Sequence, residues 1–190
     1  MEACPDGRVR CRWCNRKNPL YVAYHDTEWG VLNLEEGYLF EMLVLESFQA
    51  GLSWECILNK REAFRRAYDG FDLDAVCGYG EDRVETLLKD PGIVRNRLKV
   101  RASIKNARIF RDIQRECGSF REYLLGFTGG EILVEQGVTN ALSDAISADL
   151  YRRGMRFVGS TIIYAYLQAI GVISSHDREC FLYAGERSNE

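Results

Sequence analysis

With 190 residues and a hydrophobic fraction of 46%, the chain can fill the core of one substantial domain and is too short for two ordinary ones. Its 3 prolines and average glycine share exclude a Pro- or Gly-rich low-complexity protein and fit a compact, helical one. A net charge of -3 argues against a nucleic-acid partner only if charge is spread evenly.

In chain order, the segment before Asn33 reads as short, aromatic and irregular, with Trp13, Tyr21, Tyr24 and Trp29 among Pro19, Gly30 and several charges. From Leu34 to Ala50 the pattern is helical and apolar nearly all round, the mark of a buried helix. Glu35 and Glu36 suit its first turn, where negative charge favours the helix dipole, and Gly51 is placed to end it. Apolar residues at three- and four-residue spacing predict further helices over 53–68, 81–89, 94–116, 119–125, 140–153 and 158–170. Strand signals are weak, so the expectation is an all-α fold forming a single domain over 1–190. The longest apolar stretch, Phe157–Ile173, is interrupted by Gly159, Ser160, Thr161, Gln168 and Gly171, and reads as a buried helix rather than a membrane span. No basic, then apolar, leader is legible at the N-terminus, so the cytoplasm is the expected compartment.

The junction from Leu87 to Arg95 is the most informative turn. A short helix ends, Pro91-Gly92 turns tightly and a long basic helix begins, the outline of a helix-hairpin-helix over about 81–116. In that motif the turn amides and the next helix N-terminus face a DNA phosphate. The usual second glycine is replaced by Val94, and an ordinary αα-hairpin in the core is the competing reading. Between Arg95 and Arg115, Arg95, Arg97, Lys99, Arg101, Lys105, Arg108, Arg111 and Arg115 are opposed only by Asp112. Such a run binds a phosphate backbone or is simply a solvated helix face.

Seven cysteines are an odd number in a chain without an export signal, which favours metal ligation or buried thiols over a disulfide framework. His25 and His176 are the only two histidines. His176 and Cys180, four apart, share one face of a helical segment and can chelate one ion. With Cys11 and His25 near the other end they make a closed Cys2His2 set, which favours one structural zinc joining 1–30 to 171–190. Cys4 and Cys14 compete with Cys11, and unrelated thiols with ordinary histidines remain the plain alternative.

Glu46 shares a largely apolar helix stripe with Leu39, Met42, Leu43, Gln49 and Ala50. A buried carboxylate is costly unless paired or protonated, so such placement often marks function. Glu41 shares a similar stripe with Tyr38, Val44, Leu45 and Phe48, so burial alone does not separate the two. Trp13, Tyr21, Tyr24 and Trp54 lie near the metal candidates or near the end of the Glu46 helix. Aromatic walls with one carboxylate suit a flat, cationic, hydrogen-bonding ligand.

Several blocks in order resemble the bacterial 3-methyladenine DNA glycosylase I family over nearly the whole chain. They are Arg10-Cys11-Arg12-Trp13, the run Pro19 to Gly30, Leu45-Glu46 with Gln49 to Trp54, Gly92 to Lys99, Arg153 to Thr161, and His176 with Cys180. Two departures stand out: 131–138 lacks the family's Pro and Ser/Thr character, and Ala148-Asp149 stand where a lysine is usual. The resemblance implies an all-α, helix-hairpin-helix glycosylase fold with one structural zinc on Cys11, His25, His176 and Cys180. It implies Glu46 as the carboxylate contacting a flipped base, Tyr24 hydrogen-bonding beside it, and Trp13, Tyr21 and Trp54 as aromatic walls. Leu52 is then the wedge that fills the duplex, and Gly92, Arg95, Arg97 and Lys99 are DNA contacts. The implied partner is double-stranded DNA bearing alkylated bases, bound by a monomer with no membrane association. Hydrolysis without a lysine Schiff base is expected, since no lysine lies in the hairpin turn itself; Lys89 and Lys99 lie just outside it. The rivals are a general base after the hairpin (Asp112 or Glu116), a catalytic zinc, and a zinc-stapled DNA-binding module with no activity.

Overall fold

The computed structural model describes residues 6–183. Among them, nine α-helices follow one another: α1 (Pro19–Thr27), α2 (Glu36–Gln49), α3 (Trp54–Ala67), α4 (Leu73–Cys77), α5 (Glu81–Lys89), α6 (Arg97–Cys117), α7 (Phe120–Thr128), α8 (Ala141–Arg153) and α9 (Ser160–Ala169). Strands β1 (Leu133–Val134) and β2 (Ile173–Ser174) pair in parallel, Leu133 opposite Ile173. No helix among these residues is long and apolar enough to cross a membrane.

α2 is the central element. Every residue from Leu39 to Phe48 is buried, and α2 packs against α3, α6, α7 and α9. At its N-terminal end Glu36 accepts hydrogen bonds from the Phe120 and Arg121 amides (3.0 and 2.8 Å), so one carboxylate satisfies the open first turn of α7. At its C-terminal end no side chain of the helix caps it. Gly51 follows at φ 78, a left-handed turn that leads to Ser53, whose hydroxyl caps α3 through the Cys56 amide.

Three sequence expectations are corrected. The segment before Asn33 is not wholly irregular: Pro19 at the first position and Asn18, which accepts the Leu20 amide at 3.1 Å, start α1, and Tyr21, Tyr24 and His25 form its buried face. The long helix begins at Arg97 rather than 94, because the Asn96 side chain caps the Leu98 and Lys99 amides. A 3-10 turn at Asp69–Phe71 and the short α4 join α3 to α5, where no helix is predicted. The β1–β2 pairing was also not legible; it brings 131–138 alongside the C-terminal segment.

Candidate active site and metal-ligand cluster

Cys11, His25, His176 and Cys180 are all buried, and their ligand atoms lie within 4.8 Å of one another. Cys11 Sγ is 3.4 Å from His176 Nδ1, and Cys180 Sγ is 3.5 Å from His25 Nε2. Cys14 turns its thiol toward the Tyr21 carbonyl at 3.8 Å, and Cys4 lies outside the described residues. His176 and Cys180 do not share a helix face as expected; they sit in a turn after β2, closed by the Cys180 amide on the Asp177 carbonyl at 2.7 Å. Around the four donors stands a supporting layer. Asp26 meets His25 Nδ1 at 2.8 Å and is itself gripped by Arg10 at 2.8 and 2.6 Å, while the Trp29 backbone holds His176. Such partners fix ring orientation and leave the other nitrogen free to ligate. Burial pushes His176 down to about 4 and lowers His25 too, so both rings are neutral. Two thiols and two neutral imidazoles converging on one point fit a tetrahedral divalent ion.

Beside this cluster opens a cavity of about 310 Å³. Its walls include Trp13 from the N-terminal arm, Tyr21 and Tyr24 from α1, Trp54 from the start of α3, and Glu46 from α2. All five are residues that the sequence singles out. Ring centroids lie 5.2 Å apart for Trp13–Tyr21 and 5.4 Å for Tyr24–Trp54. Trp29 supports Trp13 edge-on at 4.8 Å.

The structure separates the two carboxylates of α2. Glu41 accepts Arg61 Nε at 2.6 Å and Arg65 Nε at 2.9 Å, and is an ordinary buried ion-pair member. Glu46 is 3% exposed and makes no hydrogen bond to a described residue; its Oε2 is fully enclosed. Loss of water alone pushes its carboxyl up to about 8. Tyr24, also buried, is raised well above the usual phenol range, first by burial and then by the Glu46 charge. Trp54 Nε1 is a second enclosed polar atom without a partner. Unmet donors and acceptors around an aromatic cavity are built for a ligand that supplies the missing partners.

Sequence reasoning missed other lining residues: Trp29, Gln49, Gln136, Gly137, Ala165, Gln168, Ser175 and Asp177. Gln49 is a face-mate of Glu46 on the sequence's own stripe, but polarity alone gave no reason to assign it to the cavity wall. Gln136 and Gly137 carried no local signal, because the β1–β2 pairing puts them there.

The hairpin residues divide. Gly92 packs so closely on α3 that an added Cβ would lie 2.8 Å from Ala63 Cβ. Arg95 is exposed, whereas exposed Arg97 pairs with Glu85 and Glu81. Lys99 is only 7% exposed, and its ammonium donates to the Phe48 carbonyl at 2.9 Å and the Ala50 carbonyl at 2.5 Å. Its charge therefore caps the C-terminal end of α2, and a phosphate has no access to it in this arrangement. Leu52, on the loop that Lys99 anchors, is 41% exposed. The rival general bases do not line the cavity: Asp112 pairs with Arg115, and Glu116 with Arg153.

The methyladenine glycosylase family pattern matches residues 13–183. The chain is 40% identical to DNA-3-methyladenine glycosylase 1 of Escherichia coli (strain K12) over 185 residues, covering 94% of this chain and 98% of that one. It is 32% identical to DNA-3-methyladenine glycosylase of Haemophilus influenzae (strain ATCC 51907 / DSM 11121 / KW20 / Rd), covering 90% and 96%. A crystal structure of 3-methyladenine DNA glycosylase I superposes with a TM-score of 0.87 at 39% identity, covering 92% of this chain and 100% of that one. The Staphylococcus aureus enzyme, solved to show the structural basis of 3-methyladenine recognition, superposes at 0.86 with 29% identity, covering 90% and 96%. On these matches and this architecture, the chain belongs to the methyladenine glycosylase family.

Proposed function

We propose that this chain is a DNA repair glycosylase that hydrolyses the N-glycosidic bond of 3-methyladenine in double-stranded DNA. The observation that carries the reading is Glu46, buried without a partner in an aromatic cavity of purine size. The relatives named above support the same substrate.

Methylation at N3 makes the purine cationic, so its leaving group is already activated. When the bond to C1′ breaks, the electron pair neutralises the purine; water adds its oxygen to C1′ and releases a proton to solvent. Little general-acid assistance is required. Glu46 acts through charge: a cationic base beside it favours the carboxylate over the neutral acid that burial imposes on the free enzyme. Trp13, Tyr21, Tyr24 and Trp54 add stacking and cation–π attraction, which neutral adenine does not elicit as strongly. The base must leave the duplex to reach this cavity, at a cost of a few kcal/mol, and exposed Leu52 fills the gap it leaves.

In this reading one zinc ion is held by Cys11, His25, His176 and Cys180. Four protein ligands leave no open coordination position, so the ion stabilises the joined ends of the chain and the chemistry belongs to the cavity.

The test is release of free 3-methyladenine from alkylated duplex DNA, followed by borohydride trapping. No lysine among the described residues lines the cavity, so release without a covalent adduct is expected. An adduct overturns the monofunctional mechanism. Duplex binding with no base release supports the inactive DNA-binding module instead.

A further inference from the structure

The basic run of α6 does not present the positive surface its sequence suggests. Arg97 and Arg101 pair with Glu81, Arg111 with Asp74 and Arg115 with Asp112, while Arg108 donates to the Cys77 and Tyr79 carbonyls. A protein of net charge -3 that binds a polyanion needs cations that are free elsewhere.

Such cations stand on the N-terminal arm. Arg12, Arg16 and Lys17 are exposed, and none makes a salt bridge to a described residue. The arm is not a loose tail. Asn15 and Asn18 both donate to Glu55 Oε1 at 2.8 Å, and Asn18 also reaches Asn59 at 2.9 Å. The Arg12 amide donates to Asp177 at 2.8 Å, and Cys11 belongs to the metal-ligand cluster. Of the arm's cations, Arg8 and Arg10 pair with Asp26 and Asp6, whereas Glu55 and Asp177 hold the backbone or amides of the 12–18 stretch rather than Arg12, Arg16 or Lys17.

Its place relative to the hairpin is set by α3. The arm binds α3 through Glu55 and Asn59. The hairpin binds the same helix one turn on, where Lys60 donates to the Pro91 and Gly92 carbonyls at 3.1 and 3.3 Å and Gly92 abuts Ala63. At 100° per residue these positions are neighbouring flanks of α3. Leu52 lies in the loop between α2 and α3, and Trp54 is the first residue of α3. The helix that follows the exposed Leu52 loop therefore carries the arm on one flank and the hairpin, with exposed Arg95, on the next.

We propose that the arm is a second phosphate-binding element, with Arg16 and Lys17 gripping the DNA backbone on the flank of the Leu52 loop away from the hairpin. The inference rests on the reading of this chain as a DNA glycosylase. It also gives the metal-ligand cluster a part in DNA affinity, because the cluster anchors the arm.

The test is binding of an undamaged duplex across a series of salt concentrations by wild type, Arg16→Ser/Lys17→Ser and Arg121→Ser. Arg121 is an exposed cation beside Glu36, at the opposite end of α2 from the loop, and serves as the control. In the double variant the slope of log affinity against log salt should become shallower by roughly 1 for each phosphate no longer neutralised. Arg121→Ser should keep the wild-type slope. An unchanged slope in the double variant, or an equal change in the control, overturns the proposal. Metal content, measured alongside, should be unchanged, so that a weaker grip is not a lost fold. Undamaged duplex keeps this comparison independent of base release; failure of wild type to release 3-methyladenine would count against the glycosylase reading alone.

Discussion

Two carboxylates about one and a half turns apart on the same helix meet opposite fates. Glu41 is offset by two arginines from α3, whereas Glu46 has only aromatic rings and the cavity. The sequence places both on apolar stripes and does not distinguish them, because the deciding partners, Arg61 and Arg65, belong to the next helix. The difference has a thermodynamic signature. In the unfolded chain Glu46 ionises around 4.5, but in the folded protein only around 8. Below pH 4.5 both states hold the proton and folding bears no penalty. As pH rises from 4.5 toward 8 the unfolded state gains by ionising and stability falls, by at most about 1.4 kcal/mol per pH unit; above 8 the penalty is constant. Denaturant unfolding between about pH 5 and 8.5 should therefore show Glu46→Gln gaining stability relative to wild type as pH rises. A difference that does not change with pH would mean that the carboxylate finds a partner in solution.

At the scale of elements, most helices were readable from three- and four-residue periodicity, and their junctions less so. The start of α6 was misplaced because Asn96 accepts two amides, a cap that periodicity does not reveal. The same helix carried a reading that the sequence left open between a phosphate-binding run and a solvated face. Its cations look like a DNA-binding face in sequence, yet most are neutralised by α4, α5 or their own neighbours, and Lys99 is turned inward. That inward turn joins the hairpin to the loop bearing Leu52. Lys99→Met leaves the Phe48 and Ala50 carbonyls unpaired and lets that loop drift. Displacements of about 1 Å near a reacting centre cost up to about 100-fold in rate, so excision from duplex should fall while binding of free 3-methyladenine is largely kept. Equal loss of both would reassign Lys99 to holding the cavity itself. Arg61 secures α3 to α2 and to Glu28 at 2.6 Å. Arg61→Met strands buried Glu41 and partly exposed Glu28 and should lower unfolding stability by about 3 kcal/mol. A change below about 1 kcal/mol would show that Arg65 alone suffices for Glu41.

Over the whole molecule, the N- and C-terminal segments of the described residues meet at the Cys2His2 cluster and the central helix ends at the cavity. The four-residue cluster was suggested by the scarcity of histidines; spacing left Cys4, Cys11 and Cys14 open. The fold favours Cys11 over Cys14, since one thiol points into the cluster and the other toward the Tyr21 carbonyl. Elemental analysis of purified protein should find about one zinc per chain in wild type and Cys14→Ser, and a loss in Cys11→Ser with a lower melting temperature. Zinc lost from Cys14→Ser and kept in Cys11→Ser would reverse the choice. Cavity residues from 131–138 stayed hidden because they come from distant chain positions through a two-residue parallel pairing. The central claim is that an unpaired carboxylate, held among aromatic rings, selects a cationic purine. Its most direct test is release of 3-methyladenine from alkylated duplex by wild type and Glu46→Gln, both zinc-loaded and folded. Wild type should release the base and Glu46→Gln should be slower by about 100-fold; equal rates would contradict the account.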